Sequence, residues 1–483
     1  MMAKVKFLSG DTVPIEMHKV RMVQKINLHP VEDRLRAMKE AGYNTFLLKN
    51  RDIFLDMLTD SGVNAMSDMQ YSAMLRADDS YAGSETFYRL EATLKDMFGV
   101  KYFLPAHQGR ACENIISQIL VKEGSTVLMN YHFTTSKVHI TMRGGLVEEI
   151  IIDEGLNITS DHPFKGNMDI DKLNECIDRL GAENIAFVRL EAGTNLIGGQ
   201  PISVQNMRDV SAICRKHGIK TVYDASLLAD NLYFNAIREE EFEFTDLKEI
   251  TREMASLMDI TYFSGRKLGF ARGGGILTSD DEFYKKMQPL VPLYEGFLTY
   301  GGMSVREMEA MAVGMEETLD LDVISQTPIF VAAFTEELIE KGVPVITPPG
   351  GLGCHIDAAA FVDHIPQEEY PAGALAAALF IASGVRGMER GTMSEERRPD
   401  GTEPLAEMEL VRLALPRRVF TLSQIKYTAD RLAWLYENRK LIGGLEFSEE
   451  PDVLRFFFGK LEAKSDWPDK LAEAFRKDFG TSL

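Results

Sequence analysis

Cysteine is scarce in this chain, and so are long apolar runs. The 483 residues include four cysteines, at positions 112, 176, 214 and 354, which lack the paired spacing of a thiolate metal site. The most apolar stretch, residues 372–382, is too short to span a bilayer and predicts a buried helix. The first residues carry charge early and lack the apolar segment of a signal peptide. Together these absences predict a reduced, cytoplasmic protein.

Positive charge and the common catalytic motifs are also lacking. The net charge of −20 argues against nucleic acid or an anionic membrane as the main partner. We find no phosphate loop of the nucleotide-binding type, no Gly-x-Ser-x-Gly elbow, and no His-Glu-x-x-His or Cys-x-x-Cys pair. With 45% hydrophobic and 26% charged residues, a chain of this length is typical of a globular protein with two or more lobes.

The most informative stretch is residues 260–278, where two apolar runs flank Ser264-Gly265-Arg266-Lys267. The flanking runs predict two buried strands, so Lys267 would lie at the end of a sheet. A lysine in that position suits imine formation with an aldehyde, and Ser264 with nearby backbone N–H groups could hold a phosphate. An ordinary basic surface turn is the alternative interpretation.

The middle of the chain alternates between strand and helix patterns. Strands are predicted at residues 184–189 and 221–226, with a helix between them that ends at Gly218. Such alternation predicts a doubly wound, mostly parallel sheet, which binds ligands at the carboxyl ends of its strands. Asp224 and Lys267 stand at two such ends. A carboxylate there can hold a protonated pyridine nitrogen, although Asp224 could equally cap a helix.

A predicted strand at residues 101–105 leads into a helix that opens with Gln108-Gly109-Arg110. Free N–H groups at a helix start suit an anion, but glycine is common in strand-to-helix turns. A further helix is predicted from Ser84 to Gly99, and a strand at residues 46–48.

The last third of the chain becomes helical and predicts a second lobe. We expect an N-terminal arm with part of the small domain at residues 1–58, a large cofactor-binding domain at 59–322, and a small domain at 323–483. Residues 386–401 are charged and predict either a mobile active-site flap or a solvated connector. Arg412, on a predicted strand, suits a substrate carboxylate, although periodicity alone favours a surface arginine.

Several motifs together resemble one family across nearly the whole chain. They are Ala41-Gly-Tyr-Asn-Thr-Phe-Leu-Leu48, Leu58-Thr-Asp-Ser-Gly62, Asn64-Ala-Met-Ser-Asp68, Tyr81-Ala-Gly-Ser-Glu85, His107-Gln-Gly-Arg110, Gly198-Gly-Gln-Pro201, Tyr294-Glu-Gly296 and Arg417-Arg-Val-Phe-Thr421. The sequence resembles the β-eliminating lyases, the family of tyrosine phenol-lyase and tryptophanase. The resemblance implies pyridoxal 5'-phosphate, the fold type I aminotransferase architecture, and a homotetramer with active sites shared between subunits.

The resemblance also implies residue roles. Lys267 would bind the cofactor aldehyde and remove the α-proton, and Tyr81, supported by Arg110, would protonate the leaving group. The residues implied to bind the cofactor are Gln108, Gly109, Phe133, Asn195, Asp224, Ser264 and Arg266. Those implied to bind the substrate carboxylate are Thr59, Ser61 and Arg412.

Substrate choice is implied by Thr134, Arg390 and Phe456, which resemble the pattern that addresses a phenolic oxygen. The implied reaction is β-elimination of L-tyrosine, with water, to phenol, pyruvate and ammonia. Tryptophan, S-alkylcysteine and serine remain alternative substrates. A fold-retaining binding or assembly protein without turnover remains the alternative of a different class.

Three departures from the family pattern stand near the implied cofactor and cation sites. Leu227 replaces an arginine near the cofactor hydroxyl, and Leu268 replaces an acidic residue after the lysine. Around the implied monovalent-cation site near Gly62, Asp79 replaces a glutamate and Arg272 an asparagine. We hypothesise that the Arg272 guanidinium occupies or abolishes that site, so a potassium requirement is doubtful.

Overall fold

The computed structural model describes residues 4–243, 245–398 and 400–482 and divides the chain into two compact units. The first unit comprises residues 61–328 and 350–352, and the second comprises residues 4–60, 329–349 and 353–482. The predicted boundaries stood at 58/59 and 322/323, and the chain passes between the units at 60/61 and 328/329. The return of residues 350–352 to the first unit was not predicted.

The first unit is built on a seven-stranded sheet, here called the large sheet. Across the sheet, the strands are Tyr102–Ala106, Gly274–Thr278, Ile260–Ser264, Thr221–Asp224, Ile185–Glu191, Thr126–Met129 and Leu146–Glu149. Gly274–Thr278 runs antiparallel to both neighbours, and the other neighbouring pairs are parallel. This arrangement confirms the predicted mostly parallel α/β architecture.

Helices cover the large sheet, and their apolar stripes supply its core. They are Asp68–Met74, Glu85–Phe98, Gly109–Leu120, Thr134–Thr141, Asp153–Leu156, Ile170–Leu180, Val204–His217, Leu228–Arg238, Leu247–Ser256, Asp281–Met287, Leu290–Tyr294, Val305–Thr318 and Leu321–Ile324. The helix Glu85–Phe98 has the predicted ends, because the Ser84 hydroxyl accepts from the N–H of Phe87 and Gly99 adopts a left-handed φ of 67°. Ile115 and Ile116 of the helix Gly109–Leu120 are buried in the core.

The second unit contains a three-stranded antiparallel sheet, here called the small sheet, with strands in the order Gly353–Asp357, Leu410–Ala414 and Met388–Arg390. Its other strands pair as Lys4–Lys6 with Thr12–Pro14, Leu55–Asp56 with Val385–Arg386, and Leu445–Glu449 with Lys460–Ala463. Its helices are Val31–Glu40, Ala358–Phe361, Pro371–Ser383, Leu422–Glu437, Arg455–Phe458 and Trp467–Phe479, and the helix Gln326–Glu340 begins just before its boundary. Every residue of Pro371–Ser383 is buried, which confirms the predicted core helix.

Short 3-10 helices complete the regular structure: Thr45–Leu47, Asn50–Asp52, Ala182–Asn184, Asn195–Ile197, Glu240–Phe242, Gln367–Glu369, Thr392–Ser394 and Arg439–Leu441. None of the helices within the described ranges has both the length and the apolar character needed to cross a membrane.

Two local predictions were wrong. Residues 46–48 do not form a strand, because the buried Asn44 side chain accepts from the N–H of Phe46 and starts a 3-10 turn instead. Residues 386–401 are not a mobile flap throughout. They begin with the strands Val385–Arg386 and Met388–Arg390 and with buried Thr392, although Pro399 lies outside the described residues.

Candidate active site

The carboxyl ends of the central strands bring Asp224 and the lysine turn into one region of the first unit. Asp224 is the last residue of its strand and Ser264 the last of the next, and the Ser226 hydroxyl accepts from the backbone N–H of Ser264 at 3.0 Å. Lys267 follows three residues later, half-buried, with Nζ 5.6 Å from the centre of the Phe133 ring. The implied cofactor lysine, carboxylate and ring-stacking residue thus belong to adjoining parts of the large sheet's edge.

The predicted phosphate cradle has the tight packing that such a site needs. Gly109 opens a 12-residue helix, and a Cβ at Gly109 would lie 3.1 Å from Cβ of Ser264. A Cβ at Gly274 would lie 3.1 Å from the backbone nitrogen of Gly109. The first-turn N–H groups of a helix have no partner within the helix, so they favour an anion.

Three arginines concentrate positive charge near this helix start. Burial lowers the pKa of Arg266, and the nearby charges of Arg272 and Arg110 lower it further. Mutual repulsion of this kind would be relieved by a bound dianion. The glycine cradle, the helix start and the arginines therefore fit the phosphate of pyridoxal phosphate.

Arg266 also reaches the loop that was predicted to bind a carboxylate or a cation. Its Nε donates to the Ser61 hydroxyl at 3.3 Å, and a Cβ at Gly62 would lie 2.5 Å from its Nη2. The guanidinium nearest to an added Cβ at Gly62 is thus that of Arg266, whereas our hypothesis named Arg272. Asp79 and Arg272 are both exposed. Within the described part of the chain, no group of three or more His, Cys, Asp or Glu side chains could hold a metal ion.

Asn195 begins a 3-10 helix and Leu227 lies in a turn at the same edge. The backbone N–H of Asn195, a buried residue, donates to Oε1 of Glu191 at 3.1 Å. Leu227 is buried too, and a Cβ at Gly193 would lie 3.0 Å from its Cβ. An aliphatic side chain therefore packs beside the turn that carries Asn195.

Asp224 is not a helix cap, because it is part of a buried polar cluster that the sequence analysis missed. Oδ2 of Asp224 accepts from Nη2 of Arg189 at 2.6 Å and from the Tyr262 hydroxyl at 2.8 Å, and Oδ1 accepts from the N–H of Ser226 at 3.0 Å. Arg189 also pairs with Glu191 at 3.1 Å. Strands buried on both faces are normally apolar throughout, so a charged pair at positions 189 and 191 was the signal available.

Tyr81 lies on an exposed loop, with 73% of its surface accessible. Its ring centre is 5.6 Å from that of Phe297, with 27° between the ring planes, and 5.6 Å from that of Tyr300. Thr134 is buried as the first residue of the helix that follows Phe133, and Arg110 is exposed on the helix Gly109–Leu120.

In the second unit, Arg412 is buried, which corrects the expectation of a surface arginine from periodicity alone. Burial lowers its pKa to about 10, against the opposing effect of Asp60. Its Nη2 donates to the carbonyl of Leu58 at 2.9 Å. The guanidinium therefore lies next to Leu58, which directly precedes Thr59. The strand order of the small sheet explains this placement, since it puts Arg412 on the middle strand.

Arg390 and Phe456 are brought together in the same unit. The Arg390 guanidinium lies 5.6 Å from the centre of the Phe456 ring, and both side chains are buried. A buried cation against an aromatic wall suits a planar ligand with a polar or anionic oxygen.

His355 is directly paired with Arg412 across the small sheet and was not identified from sequence. Its Nδ1 lies 3.1 Å from the carbonyl oxygen of Gly353, so Nδ1 carries the proton. Burial, together with the charges of Arg412 and Arg390, lowers the pKa of His355 to about 3.

The fold and the site define a class of protein: an α/β enzyme of fold type I with a lysine, a carboxylate and a phosphate cradle at one sheet edge. Solved structures of that class resemble this chain. A Sphingomonas wittichii serine palmitoyltransferase matches with a TM-score of 0.55 and 14% identity, over 80% of this chain and 88% of that one. A Leishmania major threonine aldolase matches with a TM-score of 0.56 and 14% identity, over 79% and 99%.

Sequence comparison gives the family. The beta-eliminating lyase profile matches residues 56–431. Tyrosine phenol-lyases from Pasteurella multocida and Fusobacterium nucleatum are 42% and 43% identical to this chain, each over 94% of it and 99% of the relative. The chain belongs to the beta-eliminating lyase family and is a pyridoxal phosphate-dependent lyase.

The cradle can be tested with Gly109→Ala. The added methyl group would crowd Ser264, and overpacking of about 1–3 kcal/mol would weaken cofactor binding roughly 5- to 150-fold. Titration of the cofactor-free protein with pyridoxal phosphate measures this. The control is Gly373→Ala, because a Cβ there meets its nearest neighbour at 3.6 Å and should leave the affinity unchanged. Equal affinities in all three proteins would contradict the proposed cradle.

The low pKa of His355 predicts that the second unit loses folding stability as the pH falls. A folded-state pKa of about 3, against 6.5 for a free histidine, means that the unfolded chain takes up the proton first as the pH falls. Between pH 7 and pH 5 this removes about 2 kcal/mol of stability. His355→Phe and His355→Gln cannot be protonated there, so both should lose less stability over that interval in thermal or urea unfolding. Wild-type acid sensitivity in both variants would exclude His355 as the cause.

Proposed function

We propose that this lyase cleaves L-tyrosine by β-elimination, consuming water and releasing phenol, pyruvate and ammonia. The observation that carries the substrate assignment is the buried Arg390 guanidinium against the Phe456 ring. A cation beside an aromatic wall suits a phenolic ring better than the apolar side of an indole. The likeness to tyrosine phenol-lyases over nearly the whole chain supports the same substrate.

The chain's own groups have separate tasks in this proposal. When bound, the cofactor withdraws electrons from the α-carbon of the amino acid. Lys267 holds the cofactor aldehyde covalently at rest and takes the α-proton during turnover. Arg412, with Thr59 and Ser61, binds the substrate carboxylate as a charge-assisted pair. Tyr81 gives a proton to the ring carbon that leaves, and Arg110 supports it.

The proposal assigns the other cofactor contacts as the family resemblance implies them. Gln108, Gly109, Ser264 and Arg266 would hold the phosphate. Phe133 would stack on the ring, Asn195 would face the ring hydroxyl, and Asp224 would face the ring nitrogen. Thr134 and Arg390 address the phenolic oxygen.

The proposal includes a cytoplasmic homotetramer that shares active sites between subunits. Tyr81, the proposed proton donor, is 73% exposed in the single chain, which suits a site completed by a second copy. Large apolar side chains are also exposed between residues 5 and 26, among them Leu8, Met22 and Val23. All four cysteines are free and buried, which suits a reducing compartment.

The decisive assay measures pyruvate from tyrosine, tryptophan and S-alkylcysteine supplied separately, with and without potassium. We expect tyrosine to be turned over, and we expect no need for potassium because Arg266 packs against Gly62. Lys267→Ala should lower the rate by about 10²–10⁴-fold or more and should abolish borohydride labelling at that position. Turnover of tryptophan in place of tyrosine would make the enzyme a tryptophanase, and no turnover with no cofactor absorbance would favour a non-enzymatic role.

Arg390→Gln separates the substrates. Losing a charged hydrogen bond of about 1.5–3 kcal/mol should lower kcat/KM for tyrosine roughly 10- to 150-fold. S-alkylcysteine has no phenolic oxygen, so its kcat/KM should change little. Arg439→Gln, which removes a guanidinium 4.2 Å from the Tyr436 ring, is the matched control. An equal loss for both substrates would refute the assigned contact.

A further inference from the structure

Asp224 is held by an arginine that shares its buried environment. Asp224 and Glu191 are paired across adjacent parallel strands, and Asp224 and Tyr262 across the next pair, so the three side chains lie on one face of the large sheet. Arg189 lies two residues before Glu191 and therefore on that face as well. All four residues are buried.

Hydrogen bonds occupy most of the acceptor sites of the Asp224 carboxylate. Oδ2 accepts from both Nη2 of Arg189 and the Tyr262 hydroxyl, which uses both of its acceptor sites. Oδ1 accepts from the N–H of Ser226 and keeps one site for a further donor. The Tyr262 hydroxyl in turn accepts from Nε of Arg189 at 3.1 Å. Arg189 thus orients the carboxylate both directly and through Tyr262.

The charge balance of the cluster is unusual. The Arg189 guanidinium interacts with three carboxyl groups, those of Asp224, Glu191 and the nearby Glu113. Burial and then the charge of Asp224 raise the pKa of Glu113 to about 7, against the lowering effect of Arg189. Burial alone would lower the pKa of Arg189, but its acidic neighbours, led by Tyr262 and Glu191, raise that pKa well above the usual value. Arg189 is therefore always charged, and its shortest ion pair is with Asp224, at 2.6 Å.

We propose that Arg189 is a positioning residue that orients the Asp224 carboxylate and partly neutralises it, and so limits protonation of the cofactor ring nitrogen. The inference rests on the proposed role of Asp224 opposite that nitrogen. A carboxylate paired with a guanidinium stabilises a neighbouring cation less than an unpaired one, because the two charges cancel at short range. The electron-withdrawing power of the bound cofactor would then depend on Arg189, which acts through Asp224.

The test uses the holoenzyme loaded with pyridoxal phosphate labelled with ¹⁵N in the ring, whose NMR shift reports protonation of that nitrogen. Arg189→Gln keeps a donor and removes the charge, so the signal should move towards the protonated form. Arg189→Lys keeps the charge and should stay close to wild type. Signals that are the same in all three proteins would overturn the proposal, and so would an equal shift in the Lys and Gln variants, because shape would then matter and charge would not.

Two further variants keep the test decisive. Glu191→Gln removes a carboxylate that competes with Asp224 for Arg189. Arg189 would then neutralise Asp224 more fully, so the ring nitrogen should become less protonated. This variant can be measured even if Arg189→Gln does not fold. An unchanged or opposite signal in Glu191→Gln would contradict the proposal. Asp224→Asn tests the underlying role: if it leaves the signal unchanged, Asp224 does not face the nitrogen. If Asp224→Asn moves the signal and no Arg189 variant does, the inference about Arg189 alone fails.

Discussion

The buried strands of the large sheet can hold a charged side chain without a buried partner only where they end, and the chemistry of the first unit depends on that constraint. The strands Ile260–Ser264 and Thr221–Asp224 are buried along their whole length. Their peptide groups are satisfied by neighbouring strands, whereas a charged side chain within them would need a partner of its own. Asp224 and the lysine turn lie at the carboxyl ends, where the chain leaves the sheet and a ligand can be reached.

Arg189 shows the cost of placing charge inside the sheet, and it pairs with Glu191, the last residue of the same strand. Both are buried, and both are tolerated because they pair with each other and with Asp224. An unpaired charge in such surroundings costs several kcal/mol, so the cluster is stable only as a set. The same pairing connects Asp224 to the neighbouring strand, so the orientation of its carboxylate depends on the whole cluster.

The second unit also buries a charged side chain inside a sheet, and there the residue is Arg412. Arg412 lies on the middle strand of the small sheet, next to His355 on one side and Met388 on the other. The histidine stays neutral because burial and two arginines oppose its charge. A neutral His355 neither adds to the positive charge of Arg412 nor cancels it.

The sequence by itself determined the family, the alternation of strands and helices, and the polar residues at strand ends, because these depend on local motifs and periodicity. The helix Glu85–Phe98, with its serine start and glycine end, was predictable in the same way. Only the tertiary structure decided which charged residues meet. Arg189, Glu191 and Tyr262 stand on two separate strands and reach Asp224 on a third, and no local pattern encodes that strand order. Arg412 and the segment that begins at residue 386 were misjudged for the same reason: burial is set by packing partners far away in the chain.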